Sequence, residues 1–148
     1  QEDYDRLRPL AYPATDVFVL CFDVANRSSF QNVTEKWIPE LRHFVPEAPV
    51  LLLATKTDLR AGNTASTVST REGDALATSL GVSYYAECSS LTNDGVQPAL
   101  TKAVELAVNF INQEKHSPSK LLGFFKRKSK NSTSAKDEEP LPPELPPA

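Results

Sequence analysis

The sequence of 148 residues contains no methionine, only two cysteines and two histidines, and five glycines. Cys21 and Cys88 each lie in an apolar segment, so the chain has neither a disulfide framework nor a cysteine–histidine zinc cluster. Two cysteines with no sign of a disulfide indicate a reducing compartment. No apolar run approaches the roughly 20 residues that a membrane span requires. We predict a cytoplasmic protein without a metal site of its own. Because the chain starts at Gln1 rather than at methionine, we also expect residues upstream of it.

The composition predicts a globular domain followed by a tail. Hydrophobic residues make up 40% and charged residues 24% of the chain, which is ordinary for a protein that buries a core. Residues 1–116 carry 10 basic and 15 acidic side chains, whereas residues 117–148 carry 6 and 4 and hold five of the 12 prolines in their last nine positions. We predict a domain over 1–116 and a flexible tail, basic and then proline-rich, over 117–148. We expect no nucleic-acid partner.

Two short apolar runs predict buried strands. The first, Asp16–Val24, is rich in β-branched and aromatic residues, and the second is Val50–Ala54. Both are too short for a typical buried helix, and we expect both to be covered on both faces, as the strands of parallel sheets are. Between them, Ser28 or Ser29 is a suitable N-cap for a helix whose apolar residues follow helical spacing as far as Phe44.

The second half of the domain repeats this alternation. Ser69-Thr70-Arg71-Glu72 has the capping-box pattern, and Gly81 can end that helix with left-handed backbone. Residues 82–86 predict a third strand, and the apolar spacing over 96–111 predicts a long amphipathic helix. This order indicates an α/β fold with a doubly wound, mostly parallel sheet and flanking helices. Since the first strand is the most apolar, it should lie inside the sheet, with one neighbour supplied by residues before Gln1.

Polar segments lie where two of these strands end, which is where open α/β sheets bind their ligands. Thr55-Lys56-Thr57-Asp58-Leu59-Arg60 follows the second strand, and Glu87-Cys88-Ser89-Ser90-Leu91 follows the third. With Gln1-Glu2-Asp3-Tyr4-Asp5-Arg6-Leu7-Arg8-Pro9-Leu10 ahead of them, residues 1 to about 115 resemble a small GTPase of the Rho type, a branch of the Ras superfamily. The opening segment is similar to switch II, and the other two are similar to the loops that recognise the guanine base.

The resemblance implies a P-loop NTPase-type fold and a guanine site. Guanine presents its N1–H and its N2 amine side by side, and one carboxylate can accept from both. The resemblance assigns that role to Asp58, places the stem of Lys56 against the base, and directs the backbone N–H of Ser90 to the guanine carbonyl. The other residues of the implied nucleotide site are Thr55, Leu59 and Ser89. A simple surface turn is the alternative for Lys56 and Asp58.

The opening segment carries the implied catalytic and partner-binding residues. In the family, a glutamine at the start of switch II orients the water that attacks the γ-phosphate, and here that residue is Gln1. The positions implied to contact exchange factors, GTPase-activating proteins and effectors are Tyr4, Arg6, Leu7 and Leu10. The alternatives are a solvated terminus for Gln1 and an ordinary amphipathic turn for the other four.

Part of the family pattern is missing from this sequence. It contains no G-x-x-x-x-G-K-[ST] motif, the loop that cradles phosphates and supplies a Mg²⁺ ligand, and no switch I threonine. We predict an N-terminally truncated form, missing the first strands of the sheet and comprising the C-terminal two thirds of the domain. GTP or GDP and Mg²⁺ are the cofactors implied for the complete protein, whereas this chain alone should bind nucleotide poorly and hydrolyse none.

The implied function is a GTP-hydrolysing molecular switch in signalling, of the cytoskeletal and polarity type by its Rho resemblance. The alternative is a non-hydrolysing Rho-like module that docks partners through switch II and the proline-rich tail. Two features differ from the Rho pattern. Only ten residues separate Asp58 from Ser69, so the extra helix of Rho proteins should be absent or vestigial. Cys21-Phe22-Asp23-Val24 is closer to Rab or Ras sequences.

The predicted tail contains two further segments. Lys126–Lys130 follows bulky apolar residues and could make weak contact with an anionic membrane, such as the inner face of the plasma membrane, at about 1 kcal/mol per basic residue; a solvated linker is the alternative. Pro140–Pro147 has the Pro-x-x-Pro spacing of a polyproline ligand. No cysteine follows Cys88, so we expect no prenyl anchor in this form.

Overall fold

The structure is a computed structural model that describes residues 7–61 and 66–116, with the backbone alone for residues 114–116. The chain divides after Gln113 into two units, and the sheet belongs to the first, together with its flanking helices as far as Gln113. Three residues predicted to be functional, Gln1, Tyr4 and Arg6, lie outside the described residues. The predicted tail, with Lys126–Lys130 and Pro140–Pro147, lies outside them as well.

Three parallel strands form the sheet in the order β1 (Phe18–Asp23), β2 (Val50–Thr55) and β3 (Tyr84–Glu87). Phe18 pairs with Val50 in the register of β1 and β2, and Leu51 pairs with Tyr84 in that of β2 and β3. The apolar run of β2 is buried from Val50 to Ala54, because β2 has a strand on each side and packed side chains on both faces. The predicted α/β fold with a parallel sheet and flanking helices is confirmed.

The helix predicted to begin at Ser28 or Ser29 is instead capped by Asn26, and it is not uniform. The Asn26 side chain accepts a hydrogen bond from the Ser29 N–H at 3.1 Å, and α1 spans Arg27–Asn32. A π-helical turn, Val33–Trp37, joins it to α2 (Ile38–Phe44). Pro39 gives the physical reason, because proline has no N–H and its ring crowds the carbonyl four residues earlier, so the turn before it widens.

Two helices with strong local signals complete the fold. The capping box at Ser69 and Glu72 and the left-handed backbone of Gly81 bound α3 (Thr70–Leu80), as predicted. The final helix, α4 (Val96–His116), is longer than the predicted range. No helix in residues 7–61 and 66–116 is long and apolar enough to cross a membrane.

Each face of the sheet has its own core. One core joins Phe22, Val50 and Leu52 to side chains of α1, α2 and α3. On the other face, Leu51 and Leu53 pack against Ala99 and Ala103 of α4. The helices therefore lie on both faces, and their packing fixes the edge of the sheet at which the strands end.

For β1, the prediction of a strand covered on both faces is wrong within the described residues. Its side chains alternate between the first core and solvent, with Val19 41% exposed and Cys21 exposed. The strand pairs with β2 alone in this part of the chain and lies at the sheet edge. Val19 and Cys21 are exposed because α4 packs on β2 and not on β1. Leu100, Val104 and Val108 of α4 are exposed as well.

Candidate functional site

The loops that follow β2 and β3 meet at the carboxyl edge of the sheet. The Cys88 N–H donates to the Ala54 carbonyl at 2.8 Å, which extends the pairing of the two strands. The Thr57 N–H then donates to the Cys88 carbonyl at 3.3 Å. Parallel pairing thus brings together two segments that lie about 30 positions apart in the sequence, and it does so where α/β folds bind ligands.

Asp58 and Ser89 form the direct link between the two loops. The Ser89 hydroxyl donates a short hydrogen bond to Asp58 Oδ1 and accepts one from the Thr92 N–H at 3.2 Å. Ser89 is 1% exposed, so its rotamer is fixed. Within the described residues, Asp58 Oδ2 accepts no hydrogen bond from protein. A carboxylate held at one oxygen with the other oxygen open can receive donors from a ligand.

Lys56 lies beside this pair and is anchored to the end of β1. Its backbone is left-handed, with φ at 61°, and its Nζ lies 2.7 Å from Asp23 Oδ2. Burial acts to raise the pKa of Asp23, but hydrogen bonds from Lys56 and from the Ala25 N–H hold that pKa below its ordinary value. The hydrogen bond to Asp23 raises the pKa of Lys56. The ammonium group is therefore charged at neutral pH and paired with Asp23, although the Lys56 side chain is 61% exposed.

The other predicted nucleotide-binding residues divide into supporting and open positions. The Thr55 hydroxyl donates to the Phe22 carbonyl at 2.9 Å, which ties the end of β2 to β1. Leu59 is 43% exposed in a 3₁₀ turn over Thr57–Arg60. Ser90 is exposed, next to buried Ser89. The structure thus brings together Lys56, Asp58 and Ser89 and leaves Ser90 and Leu59 accessible at the same edge.

A closed network adjoins the site. Arg60 binds both carboxylate oxygens of Glu87, through Nη1 at 2.6 Å and Nη2 at 2.8 Å. The Tyr85 hydroxyl donates to Glu87 Oε1 at 2.5 Å, and the Thr70 hydroxyl donates to Oε2 at 3.1 Å. We call these four residues the Arg60 cluster. Burial acts to raise the pKa of Glu87, but the hydrogen bonds from Arg60 and Tyr85 hold it below its ordinary value.

The backbone of the second loop rests directly on Gly95. A Cβ at this position would lie 2.1 Å from the Glu87 carbonyl oxygen, and the φ of Gly95 is +69°. Only glycine combines that conformation with such close approach. The turn before α4 thereby supports the strand end that carries Glu87, Cys88 and Ser89.

This arrangement agrees with the result of comparison with known protein families. A model described as the Ras family matches residues 1–109, which include both loops and the whole sheet. The chain belongs to the Ras family. Ras-family proteins are small GTPases that generally act as switches, bind guanine nucleotide and Mg²⁺, and work with regulators and effectors. The family match does not extend to the Rho type, which stays a prediction.

In the opening segment, residues 1–10, the structure describes the residues from Leu7 onward. Leu7 is 57% exposed and precedes a 3₁₀ turn, Arg8–Ala11, and Leu10 within that turn is 75% exposed. Arg8 binds both oxygens of Glu40 in α2, through Nε at 2.9 Å and Nη2 at 2.8 Å, and the Tyr12 hydroxyl donates to Glu40 Oε1 at 2.5 Å. We call Arg8, Tyr12 and Glu40 the Arg8 cluster.

The described part of this Ras-family chain offers a free carboxylate oxygen to a ligand but no cluster of side chains of the kinds that commonly bind metal ions. Asp58 has an oxygen open to the base, whereas residues 7–61 and 66–113 contain no group of three histidine, cysteine, aspartate or glutamate side chains that could hold an ion. We therefore assign no role to Mg²⁺ in this part of the chain.

Three charged residues at the site had no predicted role. Asp23 fixes Lys56, and Arg60 and Glu87 close the neighbouring cluster. For Asp23 a signal existed, since a carboxylate at the last position of an apolar strand must lie at the carboxyl edge of the sheet. Arg60 and Glu87 belong to the two loop motifs, but nothing in their spacing of 27 positions predicts that they meet.

Proposed function

We propose that this chain carries the guanine-recognition part of a Rho-type GTPase switch, with Asp58 as the residue that selects guanine. The observation that supports this most strongly is the Asp58–Ser89 contact. It fixes one oxygen of the carboxylate and leaves the other open, at the edge where the two loops meet. Guanine places two donors before such a carboxylate, whereas adenine does not, and an unpaired buried partner is costly.

The neighbouring residues have supporting roles in this proposal. The Lys56 stem lies along the face of the base, with its ammonium group held by Asp23. The backbone N–H of Ser90 donates to the guanine carbonyl, and buried Ser89 orients that loop. Thr55 and Leu59 complete the pocket.

Hydrolysis and signalling are further parts of the proposal. Gln1 orients the attacking water, and GTP or GDP with Mg²⁺ is the ligand of the complete site. Exchange factors, GTPase-activating proteins and effectors contact Tyr4, Arg6, Leu7 and Leu10 in a cytoplasmic pathway of the cytoskeletal and polarity type. The basic residues Lys126–Lys130 add weak contact with an anionic membrane.

A second candidate function is a docking module that does not hydrolyse GTP. The exposure of Leu7 and Leu10 favours it, because the Arg8 cluster fixes the turn beside them and so lowers the cost of ordering the backbone on binding. In this alternative the proline-rich segment Pro140–Pro147 is a second contact.

The test of guanine recognition compares GDP with ADP. We expect the chain to bind GDP more tightly than ADP in an NMR titration, and we expect Asp58→Asn to reduce that preference by about 10- to 100-fold, since a bidentate base contact is worth roughly 1–3 kcal/mol. Asp74→Asn is the matched control, because Asp74 is an exposed carboxylate on α3. Equal binding of GDP and ADP by the wild-type chain would overturn the proposed function and favour the docking module.

A further inference from the structure

The loops that follow β2 and β3, which we call the guanine loops, are joined by three connections within the described residues. Between them the structure shows the Thr57 N–H bond to the Cys88 carbonyl at 3.3 Å and the Ser89 hydroxyl bond to Asp58. The third connection is the bidentate pair of Arg60 and Glu87, at 2.6 and 2.8 Å. The Ser89 bond to Asp58 is also charge-assisted, but only the Arg60–Glu87 pair is bidentate, and bidentate geometry is the more directional. We therefore infer that this pair sets the spacing of the loops.

The Arg60 side chain is itself fixed by the fold. Its Nε donates to the Val68 carbonyl at 2.8 Å, and its Nη1 also donates to the Thr70 hydroxyl at 3.1 Å. Val68 is fully buried and Thr70 is the first residue of α3. The guanidinium group therefore joins the first loop to the core and to α3, as well as to the second loop.

Glu87 is fixed just as closely from the other side. Tyr85 and Thr70 each donate to one of its oxygens, and Gly95 packs against its carbonyl. The side chains of Arg60 and Glu87 are only 19% and 24% exposed. Their geometry leaves no open acceptor on Glu87 for a ligand, so Glu87 acts on the site through Arg60.

We propose that Glu87 is a positioning residue for guanine recognition, which, through Arg60, holds the loop of Asp58 against the loop of Ser89 and Ser90. The proposal rests on the proposed function, because it concerns the same guanine site. Asp58 and Leu59 lie immediately before Arg60, and Ser89 follows Glu87 by two positions. A change in the separation of Arg60 and Glu87 therefore moves the carboxylate and the Ser90 N–H relative to each other.

The chain provides a matched control with the same chemistry. The Arg8 cluster is also an arginine bound to both oxygens of a glutamate with a tyrosine hydroxyl on Oε1, and its side chains are similarly exposed, 27% for Arg8 and 18% for Glu40. This cluster joins the turn before β1 to α2 rather than to either guanine loop. Glu87→Gln and Glu40→Gln thus each remove the charge from a glutamate that accepts from an arginine and a tyrosine, and only the first is next to the site.

Amide hydrogen exchange without nucleotide tests whether the pair holds the loops. In Glu87→Gln we expect the Thr57, Leu59 and Ala61 amides to exchange about tenfold faster relative to the Leu52 amide of β2, since local opening becomes easier. In Glu40→Gln their exchange relative to Leu52 should be unchanged. Exchange that rises equally at Leu52 and Thr57 in Glu87→Gln would show a purely structural role and overturn the proposal.

Nucleotide binding tests the consequence for recognition. We expect Glu87→Gln to weaken GDP binding about 5- to 10-fold with little change for ADP, Glu40→Gln to leave both unchanged, and Glu87→Asp, which keeps the charge, to recover part of the loss. If the wild type prefers GDP and Glu87→Gln keeps the full preference, this proposal fails alone. If the wild type has no preference, the proposed function fails. Should Glu87→Gln not fold, Arg60→Lys, which keeps the charge but loses the paired donors, is interpreted in the same way.

Discussion

The Arg8 cluster and the Arg60 cluster each contain a glutamate that accepts from both an arginine and a tyrosine, yet they join different parts of the fold. Arg8 binds through Nε and Nη2, whereas Arg60 binds through Nη1 and Nη2. The first cluster ties the turn before β1 to α2, whereas the second ties two loops that leave neighbouring strands. Similar side-chain contacts can therefore have different effects, because the effect depends on which backbone segments the cluster joins and which functional residues those segments contain. For the Arg60 cluster these segments contain Asp58 and Ser89.

The two clusters also differ from Asp58 itself. In each cluster both oxygens of the glutamate accept hydrogen bonds from protein, one of them from an arginine and a tyrosine together. Asp58 has one oxygen bound to Ser89 and, within the described residues, the other open. A glutamate whose two oxygens already accept from protein has little acceptor capacity left for a ligand, whereas Asp58 keeps one oxygen available. For this reason we assign recognition to Asp58 and positioning to Glu87.

The largest loss of stability is expected at Gly95, whose backbone lies against the Glu87 carbonyl of the Arg60 cluster. Gly95→Ala should destabilise the fold by about 3 kcal/mol or more, because a Cβ would meet the Glu87 carbonyl and the backbone is left-handed. Urea unfolding measures the loss.

Gly81→Ala is the control for this substitution. Gly81 has a φ of +59° but open space around its Cβ position, so it should lose only about 1 kcal/mol. Equal losses at Gly81 and Gly95 would contradict the close backbone approach.

The two clusters should contribute similarly to stability. Glu87→Ala and Glu40→Ala each remove the partner of a partly buried arginine, and we expect each to lower the free energy of unfolding by about 1–3 kcal/mol, below the value for fully buried pairs. Urea unfolding of both variants gives the comparison. A difference well above 1 kcal/mol would show that the clusters are not energetically equivalent.

Whether a structural feature could be predicted from the sequence depends on whether it is set by neighbouring residues or by residues far apart in the chain. The capping box at Ser69 and the apolar run of β2 are local patterns, and both were predicted correctly. The π-helical turn was missed because it depends on Pro39 acting on a helix that periodicity alone extends without interruption. The exposure of Val19 and Cys21 on β1 was not predicted, because apolar content does not say which strand α4 will cover. The second neighbour of β1 is expected from residues before Gln1 and stays a prediction.

The site was predictable as a set of motifs but not as a geometry. Lys56, Asp58 and Ser89 were identified from the family resemblance, and their proximity follows from parallel strands. Asp23 and Lys56 are 33 positions apart, and Arg60 and Glu87 are 27 apart. Pairs at such separations form only when register and loop length are fixed together, which no local pattern encodes.

Acid should weaken both clusters and the α3 cap together. The pKa of Glu40 is lowered chiefly by its hydrogen bond from Arg8, that of Glu87 is also below its ordinary value, and the Arg27 hydrogen bond lowers that of Glu72 to about 2. A lowered carboxyl pKa stabilises the fold above the unfolded value of about 4.5, and this stabilisation is lost as the pH falls toward 2.

Urea unfolding between pH 6 and pH 2.5 measures this loss. We expect Glu87→Gln and Glu40→Gln each to flatten the decline below about pH 5. Glu72→Gln should flatten it by less than about 1 kcal/mol, since its side chain is 40% exposed and screened by solvent. An identical decline in the Glu87 variant would mean that its lowered pKa does not contribute to folding.

The smallest effect on stability is expected at the residue with the largest effect on recognition. Asp58→Asn keeps an oxygen that can accept from the Ser89 hydroxyl, and it leaves no arginine unpaired, so the free energy of unfolding should change by less than about 0.5 kcal/mol. Thermal or urea unfolding checks this directly. A loss of 2 kcal/mol or more would place Asp58 with Glu87 and Glu40 among the structural carboxylates, because a side chain reserved for a ligand contributes little to the folded state without it.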